Sequence, residues 1–271
     1  MVIDGTPVEY HQAFDLYVKH EEQCCPSGPH FSKCRGVFSH IKKRPEHFIG
    51  VLDTRHSQGG HAVAQACFEL GKQCVEFYPV LKNGSPGGGQ VQQDCRRLGA
   101  QLLPLKAGRS AVLYHQAKKW LANNYDQGAN SYFMPNALKL PEMVTETAAE
   151  VLRTTIPDVD VVLVSASSGT IAAGVIRGLR EKDWHGQVIV HLGYTRPLGA
   201  VRAYLSKMAA IPFGDIGRVD IVDEGYGYAD EAVPGPNPPF PCNAFYDLKA
   251  FRWWIRTESN NGVRCLMWNI G

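Results

Sequence analysis

Residues 159–180 read VDVVLVSASSGTIAAGVIRGLR. The first six of these residues are mostly apolar and β-branched, which is typical of a strand buried on both faces of a parallel sheet. Small residues fill positions 165–170, and a helical pattern begins at Ile171. This strand–loop–helix unit predicts an α/β fold with a largely parallel sheet.

Strand and helix patterns alternate on both sides of this unit. The predicted strands cover residues 47–54, 75–80, 101–105, 132–135, 159–164, 188–192, 219–222 and 263–268. The predicted helices cover residues 62–70, 91–98, 111–123, 145–154, 171–180, 199–207 and 246–256. Residues 1–30 are polar and contain Pro26, Gly28 and Pro29, so we expect them to be irregular.

The composition of the 271-residue chain is that of an ordinary globular protein, with 44% hydrophobic and 20% charged residues. The net charge of +2 is scattered along the chain and gives no indication of nucleic-acid binding. The sequence has neither a long apolar run nor a secretory signal pattern, so we expect a cytoplasmic protein without a membrane span. Eight cysteines without Cys-x-x-Cys spacing favour reduced thiols, and no metal site is predicted.

The loop at residues 165–170, SASSGT, is a candidate phosphate site. It joins a buried strand to a helix, where unpaired backbone N–H groups and the helix dipole favour an anion. No lysine follows Gly169, and Gly169 with Gly174 does not complete a G-x-G-x-x-G pattern, so neither nucleotide fingerprint is present. The loop therefore favours a phosphate monoester, although the spacing alone fits a plain strand–helix turn equally well.

A single lysine in residues 31–36, FSKCRG, is the candidate catalytic group. Lys33 could form a Schiff base with pyridoxal 5′-phosphate (PLP) if it is held near the cofactor and partly deprotonated, and Arg35 could supply positive charge that promotes deprotonation. Taken alone, the hexapeptide fits a surface Lys/Arg pair better.

Three further groups of residues have both a structural and a functional interpretation. The loop at residues 55–61, RHSQGGH, could receive a substrate carboxylate at a helix N-terminus, or Ser57 could simply cap the helix with His61 in solvent. Asp247 could be a partner for a pyridine nitrogen or an ordinary acidic residue in the first turn of a helix. Three tyrosines could line a site or belong to the core: Tyr226, Tyr228 and Tyr246.

Taken together, the order and spacing of these segments resemble the β-family of PLP enzymes, fold type II, which includes cysteine synthase, threonine dehydratase and the tryptophan synthase β-subunit. Residues 31–36 are similar to that family's lysine motif, residues 57–61 to its Ser-x-Gly-Asn-His loop, and residues 165–174 to its phosphate loop. The segments DEGYGY at residues 223–228, FYDLKA at 245–250 and LMWNIG at 266–271 are similar to the aminocyclopropane-carboxylate deaminase and D-cysteine desulfhydrase branch.

The resemblance implies a role for each matching residue. Lys33 would carry the Schiff base and exchange protons at Cα, with Ser57 and Tyr246 as further catalytic residues. The implied cofactor-binding residues are Lys33, Gly60, Ser167, Ser168, Gly169, Thr170 and Asp247. The implied substrate-binding residues are Ser57, Gln58, His61, Tyr226 and Tyr228. The chain departs from the family at Gly60, which replaces the asparagine that contacts the cofactor, and at Cys34, which replaces an acidic residue.

The resemblance also implies the architecture. We expect two three-layer α/β domains with mostly parallel, twisted sheets and PLP in the cleft between them. The smaller domain would comprise residues 46–135, and the larger would comprise residues 1–45 and 136–271. A homodimer is expected from the resemblance alone.

The expected activity is PLP chemistry at Cα of a small amino acid or an amino-acid-derived group, with a lyase or deaminase favoured. An acidic partner at the pyridine nitrogen, as Asp247 would be, keeps the ring protonated and favours reactions that develop negative charge at Cα. One alternative is decarboxylation or side-chain replacement on an amino acid attached to a larger carrier. Another is a binding protein that keeps the fold without catalysis.

Overall fold

The computed structural model describes residues 1–53, 57–80, 89–106, 108–125, 129–212, 218–257 and 262–271. Arg55 and His56 of the predicted carboxylate loop lie outside these residues. The strands found in these residues are β1 (Val8–His11), β2 (Leu16–His20), β3 (Phe48–Leu52), β4 (Gln73–Pro79), β5 (Gln101–Leu105), β6 (Ser131–Phe133), β7 (Val161–Ala166), β8 (Gln187–Leu192), β9 (Val219–Val222) and β10 (Cys265–Asn269).

The helices alternate with the strands after β2. They are α1 (Cys34–Lys42), α2 (Gly59–Glu69), α3 (Gln90–Arg97), α4 (Ser110–Asn124), α5 (Pro141–Arg153), α6 (Thr170–Glu181), α7 (Leu198–Ala209) and α8 (Asp247–Thr257). Within the described ranges, no helix is both long enough and apolar enough to cross a membrane.

Contacts between residues divide the chain into two compact units. The first unit comprises Met1–Val2, Pro26–Pro29 and Val37–Leu140, and the second comprises Ile3–Cys25, His30–Gly36 and Pro141–Gly271.

The first unit contains a four-stranded, wholly parallel sheet in the order β5-β4-β3-β6. Helix α4 presents Leu113, Ala117 and Leu121 to this sheet, a spacing of four residues that places all three on one helical face. These side chains pack with Phe77 and Phe133 in a buried core.

The second unit contains a six-stranded sheet in the order β1-β2-β10-β7-β8-β9, in which only the β1–β2 pair is antiparallel. Helix α8 covers one face with Phe251 and Trp254, which pack with Leu163 of β7 and Met267 of β10 in one buried cluster. Because the central strands are parallel, their carboxyl ends meet at one edge of the sheet, which is where ligands bind in open α/β folds.

The N-terminal segment differs from the sequence prediction. Instead of being irregular, it forms the β1–β2 hairpin, and helix α1 follows Lys33. The hairpin is hard to detect because β2 carries polar residues that are buried. Lys19, for example, donates from Nζ to Glu150 Oε1 at 2.6 Å and is almost completely enclosed. Charged pairs of this kind remove the apolar pattern on which strand prediction depends.

Candidate cofactor site

The carboxyl edge of the six-stranded sheet gathers four segments of the second unit. Ser165 and Ala166 end β7 beside His191 and Leu192 of β8, and Trp268 of β10 pairs with β7 from the other side. The loop after β7, the turn after β8, the start of α8 and the residues after β10 therefore come to one place.

The loop after β7 has the geometry of an anion site. Gly169 has φ of +88°, a left-handed conformation that favours glycine, and it directly precedes helix α6. The Ser168 and Thr170 hydroxyls lie 3.0 Å apart, and Thr170 Oγ1 is 2.9 Å from the Tyr204 hydroxyl. Arg196 donates from Nη1 to the Ser167 carbonyl at 2.8 Å. Hydroxyls, a helix N-terminus and a guanidinium thus lie at this loop, a combination that favours an anion.

Asp247 lies at the start of α8, and the two oxygens of its carboxylate differ in their hydrogen bonding. Its Oδ1 accepts hydrogen bonds from Ser165 Oγ at 2.8 Å and from the Ile270 N–H at 3.1 Å. Its Oδ2 is buried and has no hydrogen-bond partner among the described residues. Burial raises the pKa of Asp247 to about 7, because the charged form loses its hydration. The site thus contains a buried acceptor that is suited to a cationic or N–H donor.

Lys33 is linked to this carboxylate through the backbone. The N–H of its neighbour Ser32 donates to the Ile270 carbonyl at 2.9 Å, and the Ile270 N–H in turn binds Asp247. Lys33 is half-buried just before α1, with Nζ 5.5 Å from the Phe31 ring centroid. Ile270, the residue that follows β10, therefore holds both the loop that carries Lys33 and Asp247.

Arg35 has a different role from the one its sequence suggests. Its guanidinium donates to Glu21 through Nε at 3.0 Å and Nη2 at 2.9 Å, and it lies 3.3 Å from Glu150. Two buried carboxylates therefore neutralise its charge. This pairing argues against Arg35 as a source of positive charge for Lys33, and the residue is part of a buried ion-pair network.

The three predicted tyrosines lie in the same unit but differ in surroundings. Tyr246 is buried beside Ser167 and Tyr228, and burial raises the pKa of its hydroxyl. Tyr228 is more exposed, and its ring lies 5.2 Å from that of Tyr194 in an edge-on arrangement. Tyr246 therefore connects the phosphate loop with the more open tyrosine pair.

Tyr226 has a partner that the sequence interpretation did not single out. Lys249 Nζ lies 4.3 Å from the Tyr226 ring centroid and donates to the Gly193 carbonyl at 2.6 Å. The side chain is fully enclosed, and this burial lowers the pKa of Lys249. Lys249 lies two residues after Asp247 in the FYDLKA segment, and this position is the sequence feature that could have pointed to it.

The predicted carboxylate loop belongs to the first unit. Ser57 Oγ accepts the Gly59 N–H at 3.1 Å, and the Gly60 N–H donates to Asp53 Oδ1, also at 3.1 Å. Gln58 lies between Ser57 and Gly59, and His61 follows Gly60. Both side chains are half-buried, and burial lowers the pKa of His61.

Two buried acids lie beneath this loop and were not predicted. Gln92 Nε2 donates to Asp53 Oδ2 at 2.8 Å and to Glu76 Oε1 at 2.9 Å, and burial raises the pKa of Glu76. The Gly60 amide is therefore already bound to a carboxylate of the protein.

The second unit has the features that PLP requires. Asp247 Oδ2 is a buried acceptor suited to a protonated ring nitrogen. The Gly169 turn opens a helix N-terminus, which favours a phosphate, and Lys33 is anchored to the same edge of the sheet. This combination is typical of a PLP enzyme built on parallel α/β sheets.

Comparison with known proteins agrees with this class. Residues 1–209 match the family described as pyridoxal-phosphate dependent enzyme. The chain belongs to this family, and PLP is its cofactor. It is also 48% identical over 283 aligned residues to the glycyl-dTMP PLP-dependent decarboxylase of Pseudomonas phage M6, with all of both chains covered.

Solved structures show the same fold at low sequence identity. An ACC deaminase homologue superposes with a TM-score of 0.82 at 15% identity, covering 100% of this chain and 90% of the other. The processed threonine deaminase isoform 2 of Solanum lycopersicum gives 0.68 at 13% identity, covering 100% and 80%. The prediction of a fold type II PLP enzyme with parallel α/β sheets is confirmed.

Proposed function

We propose that this protein is a PLP-dependent decarboxylase that removes the carboxylate of an amino-acid group carried on a nucleotide, with glycyl-dTMP as the first substrate to test. The observation that carries the proposal is the 48% identity to the phage M6 glycyl-dTMP decarboxylase over the full length of both chains. The activity corresponds to the carrier-linked alternative of the sequence analysis.

The surroundings of Asp247 support chemistry at Cα. When bound, PLP supplies an electron sink for the charge that develops as a bond to Cα breaks. Asp247 would hold the ring nitrogen protonated through Oδ2, because a buried carboxylate without a partner gains most from a charged donor. Ser165 and the Ile270 N–H would fix its orientation through Oδ1.

Other residues of the second unit would bind and orient the cofactor. Ser168, Gly169 and Thr170 would hold its phosphate at the α6 N-terminus, with Arg196 supporting the loop through the Ser167 carbonyl. Lys33 Nζ would carry the cofactor in the resting enzyme and return a proton to Cα after CO₂ leaves.

The substrate-side assignments rest on the resemblance and on the local geometry. Tyr246, with Tyr226 and Tyr228, would line the substrate position. Ser57, Gln58 and His61 would contact the substrate, and Gly60 would take the place of the family's cofactor-contacting asparagine. Elimination or deamination of a small free amino acid remains the competing prediction.

The first experiment tests the cofactor lysine. The purified protein is reduced with borohydride, digested and mapped for a pyridoxyl-modified peptide. We expect one modification, on Lys33, and its absence in Lys33→Ala. The matched control is Lys139→Ala, which removes an exposed lysine. Modification of another lysine, or an unchanged cofactor absorption in Lys33→Ala, would contradict the assignment.

The second experiment separates the two substrate classes. Release of CO₂ and formation of the corresponding amine are followed with glycyl-dTMP, and with free glycine, serine and threonine in parallel. We expect CO₂ and a nucleotide amine in equal amounts from glycyl-dTMP only. Turnover of a free amino acid to a keto acid and ammonia, without CO₂ from the nucleotide substrate, would favour the deaminase interpretation instead.

A further inference from the structure

The N-terminal hairpin places three potential metal ligands on one face of the sheet. Glu9 and His11 are two residues apart on β1, so their side chains point to the same side. Glu9 pairs with Val18 in the antiparallel register, and His20 follows Val18 by two residues on β2. Strand alternation therefore brings all three side chains to the same face.

The distances between their ligand atoms fit a small metal site. One atom from each of the three residues lies within 4.8 Å of the other two. His20 Nε2 is 3.4 Å from Glu9 Oε2, and the two imidazole ring centroids are 5.8 Å apart. Zinc bonds of about 2.0–2.1 Å in a tetrahedral site separate neighbouring ligand atoms by roughly 3.3–3.4 Å, so only small side-chain rotations are needed.

A second carboxylate orients the buried histidine. His20 Nδ1 is 2.8 Å from Glu22 Oε1, and the two side chains are 2% and 0% exposed. With the Nδ1–H donated to this carboxylate, the lone pair of Nε2 points toward Glu9 and His11. A carboxylate on the far nitrogen of a histidine is the usual outer-shell arrangement around ligating imidazoles.

Two imidazole nitrogens in this cluster make no hydrogen bond to the described residues, although His20 Nε2 lies within ion-pair distance of Glu9. His11 Nε2 and His20 Nε2 are buried and make no hydrogen bond within the described part of the chain. The Phe240 ring covers both histidines, with centroid distances of 4.9 Å to His11 and 5.6 Å to His20. Buried nitrogens usually have a partner, so each requires an explanation.

We propose that Glu9, His11 and His20 form a binding site for a divalent transition metal, best matched by Zn²⁺. Two imidazoles and one carboxylate suit zinc, whereas Ca²⁺ and Mg²⁺ prefer all-oxygen sites. Glu9 is 56% exposed, so water can reach a fourth coordination position. Because β1 is an edge strand, a metal shared by β1 and β2 would fasten it to the sheet.

The test measures metal binding by the PLP-loaded enzyme, freed of excess cofactor, in a Zn²⁺ titration against a chromophoric chelator. We expect one tight equivalent, which is lost in His11→Gln and in Glu9→Gln. Glu22→Ala should weaken binding by roughly 10–100-fold, since it removes the outer-shell partner of His20. The control His185→Gln removes a 75% exposed histidine outside the cluster and should bind Zn²⁺ like the wild type.

Co²⁺ substitution identifies the ligand type independently. We expect d–d absorption of a nitrogen- and oxygen-ligated ion, without thiolate-to-metal charge transfer. Glu9 is exposed, so Glu9→Gln leaves the fold unchanged even if His11→Gln perturbs the hairpin. Unchanged Zn²⁺ affinity in both variants, or a thiolate signature from the cysteines, would overturn the proposal.

Discussion

Asp247 accepts the Ile270 N–H at 3.1 Å through Oδ1, while its Oδ2 has no hydrogen-bond partner among the described residues. The Ile270 carbonyl accepts the N–H of Ser32, immediately before Lys33. The residue after β10 is therefore a common anchor for Asp247 and the loop that carries Lys33. A shift of this strand end would move Asp247 and the loop that carries Lys33 together.

Replacement of Asp247 by Asn is expected to lower kcat by roughly a hundredfold or more, as removal of one preorganised electrostatic partner typically does. Asn can still accept from Ser165 and Ile270 through its carbonyl oxygen, but it cannot carry the charge that would hold the ring nitrogen protonated. The measurements are kcat and the visible absorption of the bound cofactor. The control Asp183→Asn changes an exposed acid. Wild-type kcat in Asp247→Asn would mean that this carboxylate does not contact the cofactor ring.

The same residue should make the stability of cofactor-free protein depend on pH. Burial raises the pKa of Asp247 from 3.8 to about 7, so the folded state retains a proton that the unfolded state has lost between these values. The free energy of unfolding should therefore fall by roughly 4 kcal/mol as the pH rises from about 4 to about 7, and it should level off above about pH 7. The size of the fall follows from about 1.4 kcal/mol per pKa unit.

Urea unfolding of the wild type and Asp247→Asn across this pH range isolates the contribution, because the other titrating groups are common to both proteins. As the pH rises, the free energy of unfolding of Asp247→Asn should increase relative to that of the wild type. A difference that is constant from pH 4 to 8 would show that Asp247 ionises as an ordinary carboxyl.

Regular patterns account for most of what could be predicted from the sequence. The run before Ser165 and the glycine at 169 mark a buried strand and a helix start, and both are found in β7 and α6. The hairpin was missed because Lys19 and His20 are buried through partners distant in sequence or on the facing strand. Such partners depend on tertiary structure, so the local periodicity of the sequence does not reveal them.

Gly169→Ala should weaken cofactor binding and reduce stability by about 1–2 kcal/mol, since only glycine adopts its φ of +88° without strain. The added Cβ would also lie 3.3 Å from Leu205 Cδ2. The matched control is Gly199→Ala in α7, where a Cβ would meet no other described atom within 4 Å. PLP affinity and thermal unfolding are the measurements. Equal effects of the two substitutions would contradict a special role for the loop conformation.

Arg35→Met should cost about 3–5 kcal/mol of stability, because it leaves Glu21 and Glu150 buried with less compensation. Arg177→Met removes an exposed ion pair with Glu181 in α6 and should cost less than about 1 kcal/mol. Chemical unfolding of both variants provides the comparison. Similar small losses would show that the network around Arg35 contributes little, and the residue would need another explanation.

Gly60→Asn, which introduces the asparagine of the family motif that residues 57–61 resemble, should lower the stability of this protein. A Cβ on Gly60 would lie 3.0 Å from Asp53 Cγ and 3.0 Å from Glu76 Oε1, and both acids are buried beneath the loop. Overpacking of this kind typically costs 1–3 kcal/mol. Gly199→Ala, at the second residue of α7 as Gly60 is at the second residue of α2, should instead stabilise by about 0.5–1 kcal/mol.

A double variant shows whether the two acids are the cause. Gly60→Ala alone should lower the free energy of unfolding, and Gly60→Ala combined with Glu76→Ala should lose less than the sum of the single changes, because the truncated Glu76 makes room for the methyl group. Additive losses would show that the destabilisation caused by a side chain at position 60 does not depend on Glu76. A loss smaller than the sum would explain why residues 57–61 depart from the family motif. The side chains of Asp53 and Glu76 would then leave no space for an asparagine at position 60.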